Sequence, residues 1–317
     1  MSKKMTLGLV GARGYTGAEI LKLVQDHPHL ELSYASSREL AGQAIAQPDS
    51  GISLPGEYEH LEPEDVAQRG ADICVLALPN GLSDPYVLAI DQARPETIIV
   101  DLSADHRFDK DWYYGLPELT RDKAPGKTRI ANPGCYATAM QLALAPLRPL
   151  LQGPAHCTGV SGYSGAGTKP SEKNDPDVLR ENLLPYAPSG HMHEGEVSHQ
   201  LGIKLRFMPH VASFFRGISM TVCAELSEPV SNAQLSEIYN KAYGNEPLVK
   251  LQEEIPNVRD NANLHHATVG GWTAGKNDQY AVVYVTLDNL LKGAATQAIQ
   301  NINIACGFDE LEGIPHG

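Results

Sequence analysis

Basic residues are short in this chain: 25 Lys and Arg stand against 38 Asp and Glu, a formal net charge of −13. That balance excludes a general nucleic-acid binder, which needs a basic surface. It leaves room for a local basic pocket around a small anionic substrate. The cysteines (Cys74, Cys135, Cys157, Cys223 and Cys306) are five, widely spaced, with no C-x-x-C pair. An odd, scattered set supports neither a disulfide framework nor a cysteine-rich zinc site, and fits a reduced, cytoplasmic setting. No run of about twenty apolar residues exists, so no membrane span is expected. The opening Met1-Ser2-Lys3-Lys4-Met5 has no signal-peptide apolar stretch. Phe and Trp are few (5 and 2), and neither repeats nor low-complexity tracts occur. Gly and Pro, by contrast, are plentiful at 29 and 22, which predicts many tight turns.

At 317 residues the chain can hold two domains. Short continuous apolar segments at 5–11, 30–36, 71–78 and 97–102 alternate with helical patterns, which predicts a parallel, doubly wound sheet. After residue 135 the rhythm changes. Segments 156–164, 204–211, 217–226 and 280–287 are longer and more alternating, as in an antiparallel sheet. A helix is predicted at 232–243, after Ser231 as N-cap, and another over 291–306. The fold class is therefore α/β: an N-terminal Rossmann-type parallel-sheet domain, plus an α+β domain with a mixed or antiparallel sheet. We expect the first over 1–134, completed by the C-terminal helix 291–317, and a catalytic and oligomerisation domain over 135–290. A boundary in the turn Asn132-Pro133-Gly134 would set Cys135 in an interdomain cleft, where ligands usually bind.

Gly11-Ala12-Arg13-Gly14-Tyr15-Thr16-Gly17 joins the first strand to the first helix with glycines spaced G-x-x-G-x-x-G. Such a turn lets main chain approach a pyrophosphate, which then faces a helix N-terminus. Its rival reading is a tight turn without a ligand. The second strand ends Ser36-Ser37-Arg38 rather than in an acidic residue, and a guanidinium with two hydroxyls suits a 2′-phosphate, so NADP is the expected cofactor. Cofactor contacts are thus expected from Gly11, Arg13, Gly14, Tyr15, Thr16, Gly17, Ser36, Ser37 and Arg38.

Cys135 opens an apolar helix-like run after Asn132-Pro133-Gly134. A helix start stabilises a thiolate, and the thiolate is the nucleophile; a small buried hydrophobe is the bland alternative. His191-Met192-His193 places two imidazoles at i and i+2, which on an extended chain point the same way. They suit either a metal, with a third ligand from Glu194, Glu196 or His199, or an acid–base partner for the thiolate. The loop Ser161-Gly162-Tyr163-Ser164-Gly165-Ala166-Gly167, followed by Lys169, offers N–H groups to an anion or is a mobile surface loop. Arg216 either holds a substrate anion or forms a surface salt bridge.

Together these segments resemble the N-acetyl-γ-glutamyl-phosphate reductase family, relatives of aspartate-semialdehyde dehydrogenase. The resemblance spans the chain: residues 11–19, Asp-Leu-Ser-Ala-Asp at 101–105, Tyr-Gly-Leu-Pro-Glu-Leu at 114–119, Asn-Pro-Gly-Cys-Tyr-Ala-Thr-Ala at 132–139, Ser-Gly-Ala-Gly at 164–167 and Asp-Asn-Leu-Leu-Lys-Gly-Ala-Ala at 288–295. Departures are few. Ala137 stands where the family often has proline, Met192 replaces an arginine between the histidines, and Asn80 replaces a histidine in Pro79-Asn80-Gly81. The resemblance implies NADPH-dependent reduction of an acyl phosphate through a thioester on Cys135, with His193 ahead of His191 as acid–base. It implies cofactor contacts from Ser164 and Gly165, substrate contacts from Asn132, Ser161 and Arg216, no metal, and a homodimer or homotetramer. The rivals are another acyl-phosphate reductase, a non-enzymatic NADP sensor that leaves Cys135 idle, and a zinc hydrolase that leaves the glycine motif unexplained.

Overall fold

Two sheets organise the chain, which is described from a computed structural model for residues 4–48, 50–275 and 279–316. The outermost residues of the expected first domain, 1–3 and 317, lie outside the described residues. One compact unit takes the residues up to Pro133 together with Ala294–Pro315; the other takes Gly134–Gly293.

The first unit carries β1 (Met5–Val10), β2 (Leu30–Ser36), β3 (Ile73–Leu76), β4 (Ile98–Asp101), β5 (Tyr113–Tyr114) and β6 (Arg129–Ala131). They form one parallel sheet in the order β2-β1-β3-β4-β6-β5. Every residue of β3 and β4 is buried, as expected of parallel strands covered on both faces. Its helices include α1 (Tyr15–Gln25), α2 (Pro63–Arg69) and α3 (Asp84–Ala93). In α1, Ile20, Leu21, Leu23 and Val24 are buried, and the helix stops before Pro28.

The second unit begins with α4 (Cys135–Leu144), which is buried along almost its whole length. Its sheet joins β7 (Ala155–Gly162), β8 (Leu183–Pro185), β9 (Leu205–Ala212), β10 (Ile218–Glu225), β11 (Val249–Gln252), β12 (Ala267–Ala274) and β13 (Tyr280–Leu287), in the order β11-β12-β13-β10-β7-β9-β8. The sheet is mixed, because β7 pairs β9 and β11 pairs β12 in parallel. Alternation does reveal one-sided burial: β9 and β10 bury every second residue. Strand β12 escapes a sequence reading because Gly270 and Gly271 break its rhythm at a register shift. Helix α5 (Met192–Leu201) follows β8, and α6 (Asn232–Tyr243) starts in a capping box of Ser231 and Gln234.

Helix α7 (Thr296–Cys306) returns to the first unit. It buries polar side chains that find partners there. Asn301 donates to the Gly115 carbonyl, and the buried Asn303 pairs with His27 and donates to the carbonyls of Glu310 and Glu312. A one-turn π segment, Leu291–Ala295, precedes it.

Candidate active site

The β1–α1 turn is made of main chain. Gly11 has φ +84°, and a Cβ there would sit 2.3 Å from the Ala77 carbonyl oxygen. A Cβ on Gly17 would meet the Ala12 oxygen at 2.8 Å. Gly14 is the N-cap of α1 in extended conformation, without any side-chain cap. The N–H groups of Gly11 and Ala12 both donate to the Ser36 carbonyl at 3.0 Å, tying the turn to the end of β2. This is a bare cradle of backbone at a helix N-terminus, the shape and polarity that fit a dinucleotide pyrophosphate. Arg13 pairs with Glu39 at 3.2 Å. Ser36 and Ser37 are buried, and their hydroxyls accept the N–H groups of Leu61 and Leu40. Arg38 is 75% exposed, 3.7 Å from Glu62. Tyr15 and Thr16 open α1.

The loops after β3 and β4 lock together in a way sequence reasoning missed. Asp105 accepts the N–H groups of Gly81 and Ser83, while Asn80 accepts that of Ala104. Asp101, fully buried, accepts from Ser83 and Ser103 and lies 2.7 Å from His106 Nδ1. The His106 ring stacks on Trp112 at 3.9 Å. Burial alone would raise the Asp101 carboxyl, but hydrogen bonds from His106 and the serines outweigh it and hold it low. Burial likewise pulls His106 down, yet its hydrogen bond to Asp101 and the nearby carboxylates pull it above the usual histidine value.

In the second unit, Cys135 is the first residue of α4 and half-buried. The fully buried Glu196 of α5 accepts the Gly134 N–H at 2.9 Å, pinning the start of the cysteine helix. The histidines do not share an extended strand. His191 is the N-cap of α5, and its Nδ1 accepts the His193 N–H at 3.1 Å, so the pair spans a helix start and not a pleat. Their rings lie 4.8 Å apart, and both meet Tyr136 edge-on, at 6.2 and 6.0 Å. Burial, with the charge of Lys173, lowers the His191 pKa and keeps it neutral. Tyr136 donates to the His210 carbonyl at 2.6 Å, and burial holds its phenol well above the usual value. Gly293 closes one side: a Cβ there would sit 2.8 Å from the Cys135 Cβ. Of the other thiols, burial pushes Cys74 and Cys157 up to about 12 and Cys306 to about 11. Those are inert positions at neutral pH.

The 161–167 loop is tied to its neighbours by hydrogen bonds. Gly162 and Ser164 N–H groups donate to the carbonyls of Gly217 and Phe215, and Ser164 Oγ accepts from Asn289. Ser161 is buried, and a Cβ on Gly165 would touch its hydroxyl at 2.9 Å. Arg216 makes a buried ion pair with Asp288, and not a surface one. In the first unit the Asn132 amide is buried between the Ala294 carbonyl and Asn301. Sequence reasoning singled out neither Glu196 as a helix anchor nor Gly293 and the pair Asp288 and Asn289. Only the 288–295 motif hinted at the last three. Among the described residues, no three His, Cys, Asp or Glu side chains converge as metal ligands, and no helix is long and apolar enough to cross a membrane.

Comparison with known proteins agrees with this layout. Residues 6–126 match the semialdehyde dehydrogenase NAD binding domain, and residues 135–289 the semialdehyde dehydrogenase dimerisation domain. The chain is 56% identical to the N-acetyl-gamma-glutamyl-phosphate reductase of Xanthomonas campestris pv. campestris (strain B100), over 98% of both chains. It is 55% identical to that of Stenotrophomonas maltophilia (strain R551-3), again over 98% of both. Among solved structures, aspartate semialdehyde dehydrogenase II from Vibrio cholerae shares the fold, with a TM-score of 0.76 at 18% identity over 96% of this chain and 98% of that one. The protein is thus a nicotinamide-dependent oxidoreductase with a dimerisation domain, and it belongs to the N-acetyl-gamma-glutamyl-phosphate reductase family.

Proposed function

We propose that the protein reduces N-acetyl-γ-glutamyl phosphate to N-acetylglutamate 5-semialdehyde with NADPH, releasing inorganic phosphate, as a cytoplasmic step of arginine biosynthesis. The observation that carries this reading is Cys135 at the first position of α4, with Glu196 behind the helix start and the His191–His193 turn packed on the adjacent Tyr136. The β1–α1 cradle, with Ser36, Ser37 and the exposed Arg38 at the end of β2, supports NADP as the dinucleotide. Ser164 and Gly165 are the further cofactor contacts in this reading.

Cys135 thiolate attacks the acyl carbon, the C–O bond to phosphate breaks, and a thioester forms. A reduced nicotinamide, when held by the β1–α1 cradle, would supply hydride chemistry to the thioester carbonyl. N–H groups of the first turn of α4 are oriented toward the oxygen that gains charge, because a helix N-terminus presents unsatisfied donors. His193 gives that oxygen its proton and takes it back as the C–S bond breaks and the aldehyde leaves. His191, neutral and committed through Nδ1 to the His193 N–H, holds the turn. Ser161, Asn132 and Arg216 are the proposed substrate contacts, with Arg216 for an anionic group. A thiol suits both halves, since a serine would leave an ester, a poorer hydride acceptor.

We further propose that the protein is a homodimer or homotetramer assembled through the open face of the second sheet. There, Thr158 and Val160 of β7 and Thr221 and Cys223 of β10 remain partly exposed at the sheet centre. Sedimentation should give at least a dimer, and Thr221→Arg should shift it toward monomer. The reaction is tested by phosphate-dependent NADP⁺ reduction with N-acetylglutamate semialdehyde. Turnover in the wild type supports the assignment; turnover only with aspartate semialdehyde would keep the chemistry and replace the substrate.

A further inference from the structure

The segment 288–295 joins β13 to α7. Its first residue, Asp288, has a fully buried carboxylate. Oδ1 accepts the N–H groups of Leu290 and Leu291 at 2.9 and 3.2 Å, and Oδ2 accepts that of Asn263 at 2.7 Å. Three main-chain donors thus fix the carboxylate, whatever else approaches it. Arg216 Nε lies 2.7 Å from the same Oδ2, and its NH1 donates to the Asn263 side-chain oxygen at 2.6 Å. The guanidinium is therefore held by an ion pair at Nε and by a hydrogen bond at NH1. Asn263 sits at φ +66°, a left-handed conformation that asparagine adopts more readily than other non-glycine residues.

The main chain beside Arg216 is pinned as well, since the Asn289 side chain accepts the Gly217 N–H at 2.7 Å and donates to Ser164. A stabilising role alone explains this poorly. Burying an ion pair costs desolvation that its attraction seldom exceeds, and Asp288 already has enough donors without an arginine. What the arrangement does supply is a guanidinium plane set before any ligand arrives, so that binding does not have to freeze a long side chain.

We propose that Asp288 and Asn263 are positioning residues that fix the Arg216 guanidinium as the receptor for an oxyanion of the substrate, its phosphoryl group or its α-carboxylate. This rests on the reading of Arg216 as a substrate contact. Replacing Asp288 would disturb three main-chain partners, so the decisive variant is Asn263→Gly. Glycine tolerates the positive φ and keeps the N–H to Asp288, while the contact to Arg216 NH1 is lost. Kinetics of the full-length protein are measured in the direction that consumes inorganic phosphate and the semialdehyde. In parallel, phenylglyoxal modification of Arg216 is followed by mass spectrometry, with and without inorganic phosphate or N-acetylglutamate.

The expected result is a KM raised about tenfold, the size of a lost hydrogen bond to a charged group, with kcat within about twofold. Asn263→Asp, which keeps the acceptor, should recover most of it. A rise in the KM for phosphate assigns the phosphoryl group, and a rise in that for the semialdehyde assigns the carboxylate. The same anion should protect Arg216 in the wild type, with about ten times more needed in Asn263→Gly. Unchanged KM values and unchanged protection in a folded Asn263→Gly overturn the proposal, as does a wild type in which neither anion protects Arg216. So does a variant in which the melting temperature and the alkylation rate of Cys135 fall along with activity, since that marks a merely structural contact. A wild type without turnover whose Arg216 is still protected, less so in Asn263→Gly, would sink the functional reading and leave the positioning role standing.

Discussion

At the β1–α1 turn the working surface is main chain, and its specification consists of atoms that are missing: no Cβ on Gly11, none on Gly17, no side-chain cap at Gly14. Around Cys135 the working surface is side chain. A glutamate from one helix holds the start of another, a histidine caps the turn that carries a second histidine, and a tyrosine packs against both rings. In the proposed function, the first region binds by letting a ligand reach the backbone. In the same reading, the second acts by holding a few polar atoms in place against the cost of burying them. The two should therefore fail in different ways when altered.

The largest effect is expected at the thiol. Cys135→Ser should lower turnover by at least about three orders of magnitude while leaving fold and dinucleotide affinity intact. Full activity in that variant would end covalent catalysis at this residue. Next comes the turn. Gly11→Ala forces a side chain into φ +84° against the Ala77 carbonyl, a strain of about 1–3 kcal/mol from the backbone dihedral alone. Its signature should be the reverse: weakened NADP binding by fluorescence titration, with Cys135 alkylated at the wild-type rate.

Glu196→Ala should cost about 1–3 kcal/mol of stability, because it strands the buried Gly134 N–H. Glu196→Gln, which still offers an oxygen, should regain much of it. A Glu196→Ala protein as stable as the wild type would mean that the anchor contributes nothing.

The smallest effect separates the regions by sign. His191 is depressed in the folded state, so its contribution is full above pH 6.5 and is lost as pH falls from there through its folded value. His106 is raised through its pairing with Asp101, so its contribution is full below pH 6.5 and is lost as pH rises through its folded value. In denaturant titrations against pH, His191→Gln should lessen loss on the acid side and His106→Gln on the alkaline side. Parallel shifts in both variants would refute the opposition.

This contrast also explains what could be read from the residues. The glycine turn was legible from its spacing between a strand and a helix, β2 and β13 from their apolar runs, and α6 from Ser231 as its N-cap. Cys135 was legible from the turn before it. The histidines were misread as a pleat because Gly195 and a polar composition give α5 little helical signal, and its cap is an imidazole rather than a serine or aspartate. Glu196, Asp105 and Asp288 work through partners far away in the chain, which no local pattern encodes.

The first unit is assembled from two stretches of chain, with the whole of Gly134–Gly293 made between them. On the ribosome, Asn301 and Asn303 of α7 emerge only after every strand of the second sheet has been synthesised. Gly115 and His27, which they partner, must wait for them. The contacts that close the first unit are thus long-range in the chain, and the whole of the second unit is inserted in the loop they close.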